Sequence, residues 1–425
     1  MEAANGQIRV LHVLGVLGVG GAESRIIDLY RNMDRDKIQF DFLVHYSPAK
    51  TGKKSPTSDE LMAVREPDYF DKEVLGLGGR IFCLPRFNGR NLPDYKKAAE
   101  RFFKQHRGEF KVVQGHMTSM AAVYLPIAKR NGVPICIAHA RSAGVDSGIK
   151  GIATRILRLP LRRDDFTDYN FACSGEAGEA VFGKKLMDKG KVRIIPNAVD
   201  VGAFAYNSSV RERYRRELGV TDEVVIGHVG SFRYAKNHEF LLRTFAQLIS
   251  LVERDAGKKY PALYGRKIRL LMLGKGGLFE DMKKLSEELS ISGYCIFAGN
   301  RSDVDGFYQA MDYFCFPSRY EGLPGSVIEA QAAGLRCLVS DAVTSEVCVT
   351  DLVSMRSIKS QPVDWAEKIL DDLCAGGSDE PPGHFTKERE DNSECILGSL
   401  RNAGFDVKSQ AREMTLFYQR GYFDE

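Results

Sequence analysis

The chain has no C-x-x-C pair, no apolar run long enough to cross a bilayer, no P-loop lysine and no large excess of either charge. Its nine cysteines, Cys83, Cys136, Cys173, Cys295, Cys315, Cys337, Cys348, Cys374 and Cys395, stand singly among 425 residues. Isolated thiols, several inside apolar strand-like runs, argue against a paired zinc site and fit the reduced core cysteines of a cytosolic protein. No apolar stretch approaches the roughly 18 residues of a membrane-crossing helix. Ile8 to Val19 gives way to glycines and a charged amphipathic segment, which is not a signal-peptide pattern. A formal charge of +4 is too small for a nucleic-acid partner, which calls for a basic face. These absences predict a cytoplasmic protein that spans no membrane and binds no nucleic acid.

What is present is alternation. Ile8 to Leu14, Phe40 to His45, Arg80 to Leu84, Lys111 to Gln114, Ile135 to His139, Tyr169 to Cys173 and Val192 to Ile195 read as strands. Between them Ala22 to Met33, Asp94 to Gln105, Ser119 to Arg130 and Glu176 to Phe182 carry apolar residues at helical spacing. After the turn Ile195 to Asp200 and a polar connector the same grammar restarts. Strands are expected at Val224 to Val229, Ile268 to Leu273, Tyr294 to Phe297, Tyr313 to Phe316 and Arg336 to Val339. Helices separate them at Glu239 to Val252, Phe279 to Leu289, Val304 to Ala310, Val327 to Ala333 and Trp365 to Leu370. Strict alternation means doubly wound parallel sheets, and 425 residues exceed what one core fills. The expectation is two α/β Rossmann-like domains, residues 1–197 and 198–400, with a central cleft at the carboxyl ends of the sheets. Ser47 to Asp59 and Gly376 to Asn392 are polar, Pro/Gly-rich interruptions that read as surface loops.

Four loops carry candidate chemistry. In PSRYEGLPGSVIEAQAAG, from Pro317 to Gly334, two carboxylates stand eight positions apart across a Gly-Pro-Gly turn that opens a helix. Unpaired amides at that helix start, on Gly325, Ser326 and Val327, suit a phosphate or sugar oxygen, while Glu321 and Glu329 can accept hydrogen bonds from hydroxyls. Ser326 and Glu329 also fit the S-x-x-E capping box, so capping and ligand binding both stay open for Glu329. The loop Gly15 to Glu23, which includes Gly20 and Gly21, sits where glycines cradle phosphate. Its spacing is not G-x-G-x-x-G, which disfavours a dinucleotide dehydrogenase. In Gly230 to His238, Arg233 and Lys236 are placed to neutralise a departing diphosphate. Lys275 in the next loop, and Asn300 with Arg301 in the one after, lie on the same rim. Together these predict a site for an anionic nucleotide ligand.

The segments GVGGAE (18–23), IPNAVD (195–200), HVGSFRYAKNHEFL (228–241), LLMLGKG (270–276), FAGNRSDV (297–304) and PSRYEGLPGSVIEAQAAG resemble retaining glycosyltransferase family 4. They run in order over nearly the whole chain and look most similar to its bacterial exopolysaccharide and capsule branch. The resemblance implies a GT-B fold, with a helix near residues 407–420 packing back on the first domain. It implies that Glu329 holds the donor ribose and Glu321 the donor sugar hydroxyls. Gly322, Leu323, Gly325, Ser326 and Val327 would surround sugar and phosphates, with Gly20, Gly21, Lys275, Asn300 and Arg301 as further donor contacts. Lys236 would stabilise the leaving diphosphate, and His116 matches the histidine near the anomeric carbon. Where the family usually has an arginine after the glycine, this chain has Ser231; Arg233 replaces it if residues 230–236 continue as strand, since alternate side chains then share a face.

The reaction so implied is sugar transfer from a nucleotide diphosphate, expected to be UDP-linked, to an acceptor hydroxyl, with no cofactor and no metal. The triplets Asp34-Arg35-Asp36 and Asp303-Val304-Asp305 read as a helix end and a helix N-cap instead of metal ligands. Ile149 to Arg163 holds five basic and no acidic residues; contact with an anionic membrane presenting a lipid-linked glycan and packing on the first domain both stay open. A GT-B nucleotide-sugar epimerase and a noncatalytic sugar-binding protein are the rival readings.

Overall fold

The computed structural model describes residues 6–18, 20–142, 144, 148–255, 257–375 and 384–424. The chain forms two units, Met1–Ala198 with Asp406–Glu425, and Val199–Phe405. The first holds a parallel sheet of β1 (Ile8–Val13), β2 (Ile38–Tyr46), β3 (Ile81–Pro85), β4 (Val112–Gly115), β5 (Ile135–Ala140), β6 (Tyr169–Ala172) and β7 (Val192–Ile194), in the order β3-β2-β1-β4-β5-β6-β7. The second is built from β8 (Val224–Val229), β9 (Ile268–Leu273), β10 (Cys295–Gly299), β11 (Tyr313–Phe316), β12 (Arg336–Ser340) and β13 (Val353–Arg356), in the order β10-β9-β8-β11-β12-β13. Every described strand pair is parallel, for example Val10 with Phe40 and Val112, and Ile226 with Leu270 and Tyr313.

Each sheet reverses its winding direction once, between β1 and β4 and between β8 and β11. At such a point consecutive crossover helices leave to opposite faces, so the loops at the carboxyl ends of the two strands part and leave room for a ligand. The strands flanking these points carry buried apolar residues on both faces because helices cover both, as consecutive Val10 and Leu11 of β1 and Phe314 and Cys315 of β11 show.

The helices start and stop on local signals. Ser174 accepts from Ala177 N at 3.1 Å to open Gly175–Phe182, and Asp406 accepts from Ser409 N at 2.9 Å to open Val407–Arg420, which Gly421 ends in the left-handed region. Helix Val407–Arg420 lays Val407, Ala411, Met414, Phe417 and Tyr418 into the first core, beside Phe40, Phe171 and Tyr30.

The second core gathers Leu241, Phe245, Leu270, Met272, Tyr313 and Trp365. Beneath it Asp312 is buried between Arg211 and Arg215, the latter at 3.1 Å, and accepts from Val225 N at 2.8 Å. Burial alone would raise this carboxyl; the two guanidiniums and the amide outweigh it and hold it below the usual carboxylate range.

Four segments differ from the sequence reading. Residues 207–219, taken as a polar connector, form the helix Ser208–Leu218, with Asn207 capping Val210 N and Gly219 closing it at φ 67°. Part of the loop expected over Gly376 to Asn392 belongs to helix His384–Asn402, while residues 376–383 lie outside the described residues. That helix is seated by Arg389, which donates to Ala333 O at 2.8 Å and Met311 O at 2.9 Å, carbonyls at the ends of two neighbouring helices. Within Ser47 to Asp59 a short 3₁₀ turn, Pro48–Thr51, leads to a capping box of Thr57 and Glu60. Strand β13 was not foreseen at all.

Asp312→Asn keeps the shape of the side chain but leaves Arg211 and Arg215 buried without a counter-charge. Urea unfolding should show the second unit destabilised by about 3–5 kcal/mol; a loss below about 1 kcal/mol would mean that the two arginines find other acceptors.

Candidate active site

In the second unit the loops after β8 and β11 flank the reversal of the sheet, and they bring Lys236 and Glu321 together. Lys236 Nζ lies 2.8 Å from Glu321 Oε1, both side chains less than a fifth exposed. Lys236 also sits over the Phe316 ring, 4.6 Å from its centroid, so the last residue of β11 forms the floor of the pair. The two loops are tied by backbone: Arg319 N donates to Ala235 O at 2.7 Å, and Asn237 Nδ2 to Pro317 O at 3.1 Å. Asn237 takes the left-handed conformation, φ 55°, to turn the chain from this loop into helix His238–Asp255.

Glu321 is followed by Gly322, Leu323 and Pro324, which lead into helix Gly325–Ala332. The S-x-x-E capping box does not form. Pro324 holds the cap position with no side-chain cap, and Ser326 lies inside the first turn. Glu329 is buried at 6% exposure, and its Oε2 accepts from Tyr308 OH at 3.0 Å; the same hydroxyl lies 3.0 Å from Ser326 O. Among the expected amides, Val327 N is spent on Pro324 O at 3.2 Å, while those of Gly325 and Ser326 have no partner among the described residues. Two amides with partial positive charge, a lysine and two carboxylates can hold an anion and adjacent hydroxyls together.

The loops after β9 and β10 complete this edge. Phe232 N donates to Lys275 O and Gly230 N to Leu273 O, both at 3.0 Å, and Gly274 N donates to Gly299 O at 2.8 Å. Lys275, Asn300 and Arg301 are exposed there. Arg301 is engaged by Asp303 at 2.9 Å, and Asp303 also accepts from Tyr214 OH at 2.8 Å. Asp303 thus stands at the N-cap of helix Val304–Ala310 without capping it by its side chain.

Residues 230–236 do not continue as regular strand: β8 stops at Val229 and residues Tyr234–Lys236 form a 3₁₀ turn, while Phe232 N still pairs with Lys275 O and Arg233 keeps an extended backbone, φ −131°. Arg233 is exposed and has no ion-pair partner among the described residues.

In the first unit the loop after β1 runs through Gly15 and Gly18 to Gly20, the N-cap of helix Gly21–Asn32. A Cβ on Gly20 would meet Glu23 Oε2 at 2.2 Å, whereas Gly21 opens onto free space. His116 follows β4 across the reversal, and both of its ring nitrogens are engaged. Arg141 Nε donates to Nδ1 at 3.3 Å, and Nε2 lies 3.0 Å from His12 Nδ1. Arginine has no acceptor, so Nδ1 carries the lone pair and the proton sits on Nε2, donated to His12. His139, on the neighbouring strand, accepts at Nδ1 from Gln114 at 2.7 Å, and Gln114 accepts from Tyr418 OH at 2.7 Å.

Sequence reasoning missed Tyr308, Asn237 and Arg141. Tyr308 carries no motif signal, and Asn237 lies within the 228–241 segment without a role read for it. Arg141 stands two residues past the expected strand Ile135 to His139, a position that could have singled it out.

Six buried histidines are held neutral. Burial lowers His12 to about 3, His45 and His228 to about 4 and His238 to about 2, and pushes His116 and His139 well below the usual value, with Arg141 acting on His12, His116 and His139 besides. A depressed histidine stabilises the fold above its unfolded pKa and loses that contribution as pH falls toward the folded one. Below pH about 6.5 each adds a penalty of up to about 1.4 kcal/mol per pH unit. Urea unfolding should therefore lose several kcal/mol between pH 6.5 and 5 and stay flat from 7 to 8; equal stability at pH 7 and 5 would show these rings to be protonated in the fold.

Residues 210–375 match the family model described as glycosyl transferases group 1, and residues 19–203 match glycosyltransferase family 4. A Bacillus subtilis protein carrying the glycosyltransferase name EpsF is 31% identical over 416 residues, covering 97% of this chain and 96% of its own. The Escherichia coli UDP-Gal:alpha-D-GlcNAc-diphosphoundecaprenol alpha-1,3-galactosyltransferase is 23% identical over 282 residues, 64% of this chain and 68% of that protein. Among solved structures, Anabaena Alr3699/HepE in complex with UDP-glucose superposes with a TM-score of 0.68 at 15% identity, covering 98% of this chain and 100% of that one. With two parallel α/β units and family matches in both, the chain belongs to glycosyltransferase family 4 and has the GT-B fold.

Proposed function

We propose that the chain moves a hexosyl or N-acetylhexosaminyl group from a UDP-sugar to an acceptor hydroxyl, with retention at the anomeric carbon, in exopolysaccharide or capsule synthesis. The observation that carries this is the Lys236–Glu321 pair at the reversal of the second sheet, beside the unpartnered amides of Gly325 and Ser326. Glu329, oriented by Tyr308, holds the donor ribose. Glu321 binds donor sugar hydroxyls, and Lys236 with the two amides receives the diphosphate. Leaving-group charge is the main quantity to stabilise, and preformed donors do so without reorganising. The acceptor oxygen bonds to the anomeric carbon as the bond to the diphosphate breaks on the same face, and the acceptor proton passes to the departing phosphate oxygen. In this reading Glu321 is a hydroxyl-binding group, and no covalent intermediate forms on it. The UDP-glucose bound to the Anabaena neighbour and the lipid-linked acceptor in the E. coli relative's name support a UDP donor and a lipid-linked glycan acceptor.

The measurement is thermal shift and titration with UDP, UDP-glucose, UDP-galactose and UDP-N-acetylglucosamine. Lys236→Ala should weaken every nucleotide by about 1.5–3 kcal/mol, the range of a charged hydrogen bond. Glu321→Ala should bind UDP no more weakly than wild type, since it frees Lys236, yet lose the preference among sugars. If no nucleotide stabilises the wild type, the proposal fails, and epimer formed without acceptor would replace transfer with epimerisation.

No helix among the described residues is long and apolar enough to cross a membrane. Peripheral contact through the basic segment remains part of the proposal. In helix Gly148–Arg158 and the turn after it, Ile152, Ile156 and Leu159 are 57%, 60% and 54% exposed on one side, next to exposed Arg155. The side chain of Ile149 lies outside the described residues. Arg162, one of the five basic residues of the segment, donates to Val181 O and Ala180 O at 3.4 and 3.3 Å. A surface of apolar tips and arginine suits anionic lipid. Ile152→Glu with Arg155→Glu should abolish sedimentation with phosphatidylglycerol liposomes, and unchanged sedimentation would remove the membrane from the mechanism.

A further inference from the structure

The buried arginines of this chain are mostly answered by carboxylates. Arg65 lies on Asp68 and Asp71, and Arg211 and Arg215 share Asp312. Arg389 instead spends its N–H groups on carbonyl oxygens at helix ends. Arg141, half-buried, does neither. Its Nε donates to His116 Nδ1 at 3.3 Å and its Nη1 to Asn197 Oδ1 at 2.8 Å, two neutral acceptors. Its Nη2 has no partner, and no carboxylate lies within ion-pair distance of it, among the described residues. Glu23 reaches it only through space, and Arg25 opposes it. Burial lowers Arg141 to about 10, so at neutral pH it remains a cation.

Its place in the fold adds to this. Arg141 follows β5, His116 follows β4, Asn197 lies three residues past β7, and the Gly15 to Gly20 loop follows β1. All four are at the carboxyl edge of the first sheet: β1 and β4 flank its reversal point, β5 lies next to β4, and Asn197 reaches Arg141 from the segment after the edge strand β7. His116 and Asn197 fix the guanidinium plane from two sides. A planar cation so oriented, desolvated and lacking its counter-ion is preorganised for an oxyanion, because the cost of ordering and burying it has already been met in the fold.

We propose that Arg141 binds a phosphate-type oxyanion of a substrate, with His116 and Asn197 as its positioning residues. This deepens the sugar-transfer reading and rests on it for the identity of the substrates. The oxyanion belongs to the donor diphosphate or to the phosphate of a lipid-linked acceptor, and the two sources are separable.

The test is calorimetric titration of the full chain with UDP, and of both the UDP-saturated and the UDP-free chain with inorganic phosphate, in wild type, Arg141→Gln, Arg141→Lys and Lys236→Ala. Arg141→Gln should weaken one of these ligands by about tenfold or more, as expected for loss of a charge-assisted contact, and Arg141→Lys should recover part of it. Loss confined to UDP assigns the donor; loss confined to phosphate, with Lys236→Ala unaffected, assigns the acceptor. Unchanged affinity for both in a folded Arg141→Gln protein overturns the proposal. Should Arg141→Gln not fold, the ring-nitrogen resonances of His116 in the wild type give the answer. Either ligand at Arg141 shifts them, and resonances unmoved by both overturn the proposal. A wild type that ignores UDP sinks the sugar-transfer reading alone, since the phosphate titration of the UDP-free chain still reports on Arg141.

Discussion

Parallel strand pairing is the constraint on which the rest of each unit depends. Parallel strands all end on the same edge, so every loop that follows a strand emerges on one side of the sheet. The reversal between β8 and β11 then decides which two loops stand apart, and Lys236 and Glu321 lie on those two. Residues 85 positions apart in the chain become an ion pair because topology leaves a gap there and not elsewhere. The same rule in the first unit sets the glycine loop after β1 beside His116 after β4.

Holding an edge of loops rigid requires the loops to bond each other, and glycine makes that possible at one position above all. Gly274 has φ +140°, and a Cβ there would lie 2.0 Å from Gly230 O. The loops after β8 and β9 therefore touch through backbone, continuing the strand pairing past the strand ends through Gly230 N to Leu273 O and Phe232 N to Lys275 O. The Lys236 stem runs over Gly230, whose added Cβ would meet Lys236 Cδ at 3.1 Å. A side chain at either glycine would push the lysine away from Glu321.

The sheets were legible because buried parallel strands leave a strong mark: short apolar runs with helices between them. β8, β9 and β11 have the bounds expected from sequence, and all seven strands of the first sheet were anticipated to within two residues. The failures have physical causes. Helix Ser208–Leu218 was hidden because VRERYRREL is charged nearly all round, and its arginines turn out to be the buried groups that hold Asp312. Its caps, Asn207 and Gly219, were visible and went unused. β13 is only partly buried at an end of its sheet, so its VSMR lacks the apolar run of a central strand. In the site, Glu321 and Lys236 stood out as motif residues. Their contact, the loss of the expected cap at Ser326 and the end of regular strand before Arg233 all depend on where elements start and stop, which is the least readable property of a sequence.

The two units solve the problem of a waiting cation differently. Lys236 is neutralised before any ligand arrives: Glu321 holds it in place, over Phe316. In the proposed reading an arriving diphosphate would compete with that carboxylate for the lysine, and a sugar whose hydroxyls engaged Glu321 would remove the competitor, so the two halves of a sugar nucleotide would be coupled through one ion pair. Arg141 has no such carboxylate partner among the described residues, and its neutral supports cannot compete for an anion. A cation held by a carboxylate discriminates between ligands that do and do not engage that carboxylate. One held by neutral groups supplies affinity without that selectivity. The neutrality of His116 is essential to the second arrangement, since a protonated ring would lose the lone pair that accepts from Arg141 and set two positive charges in contact.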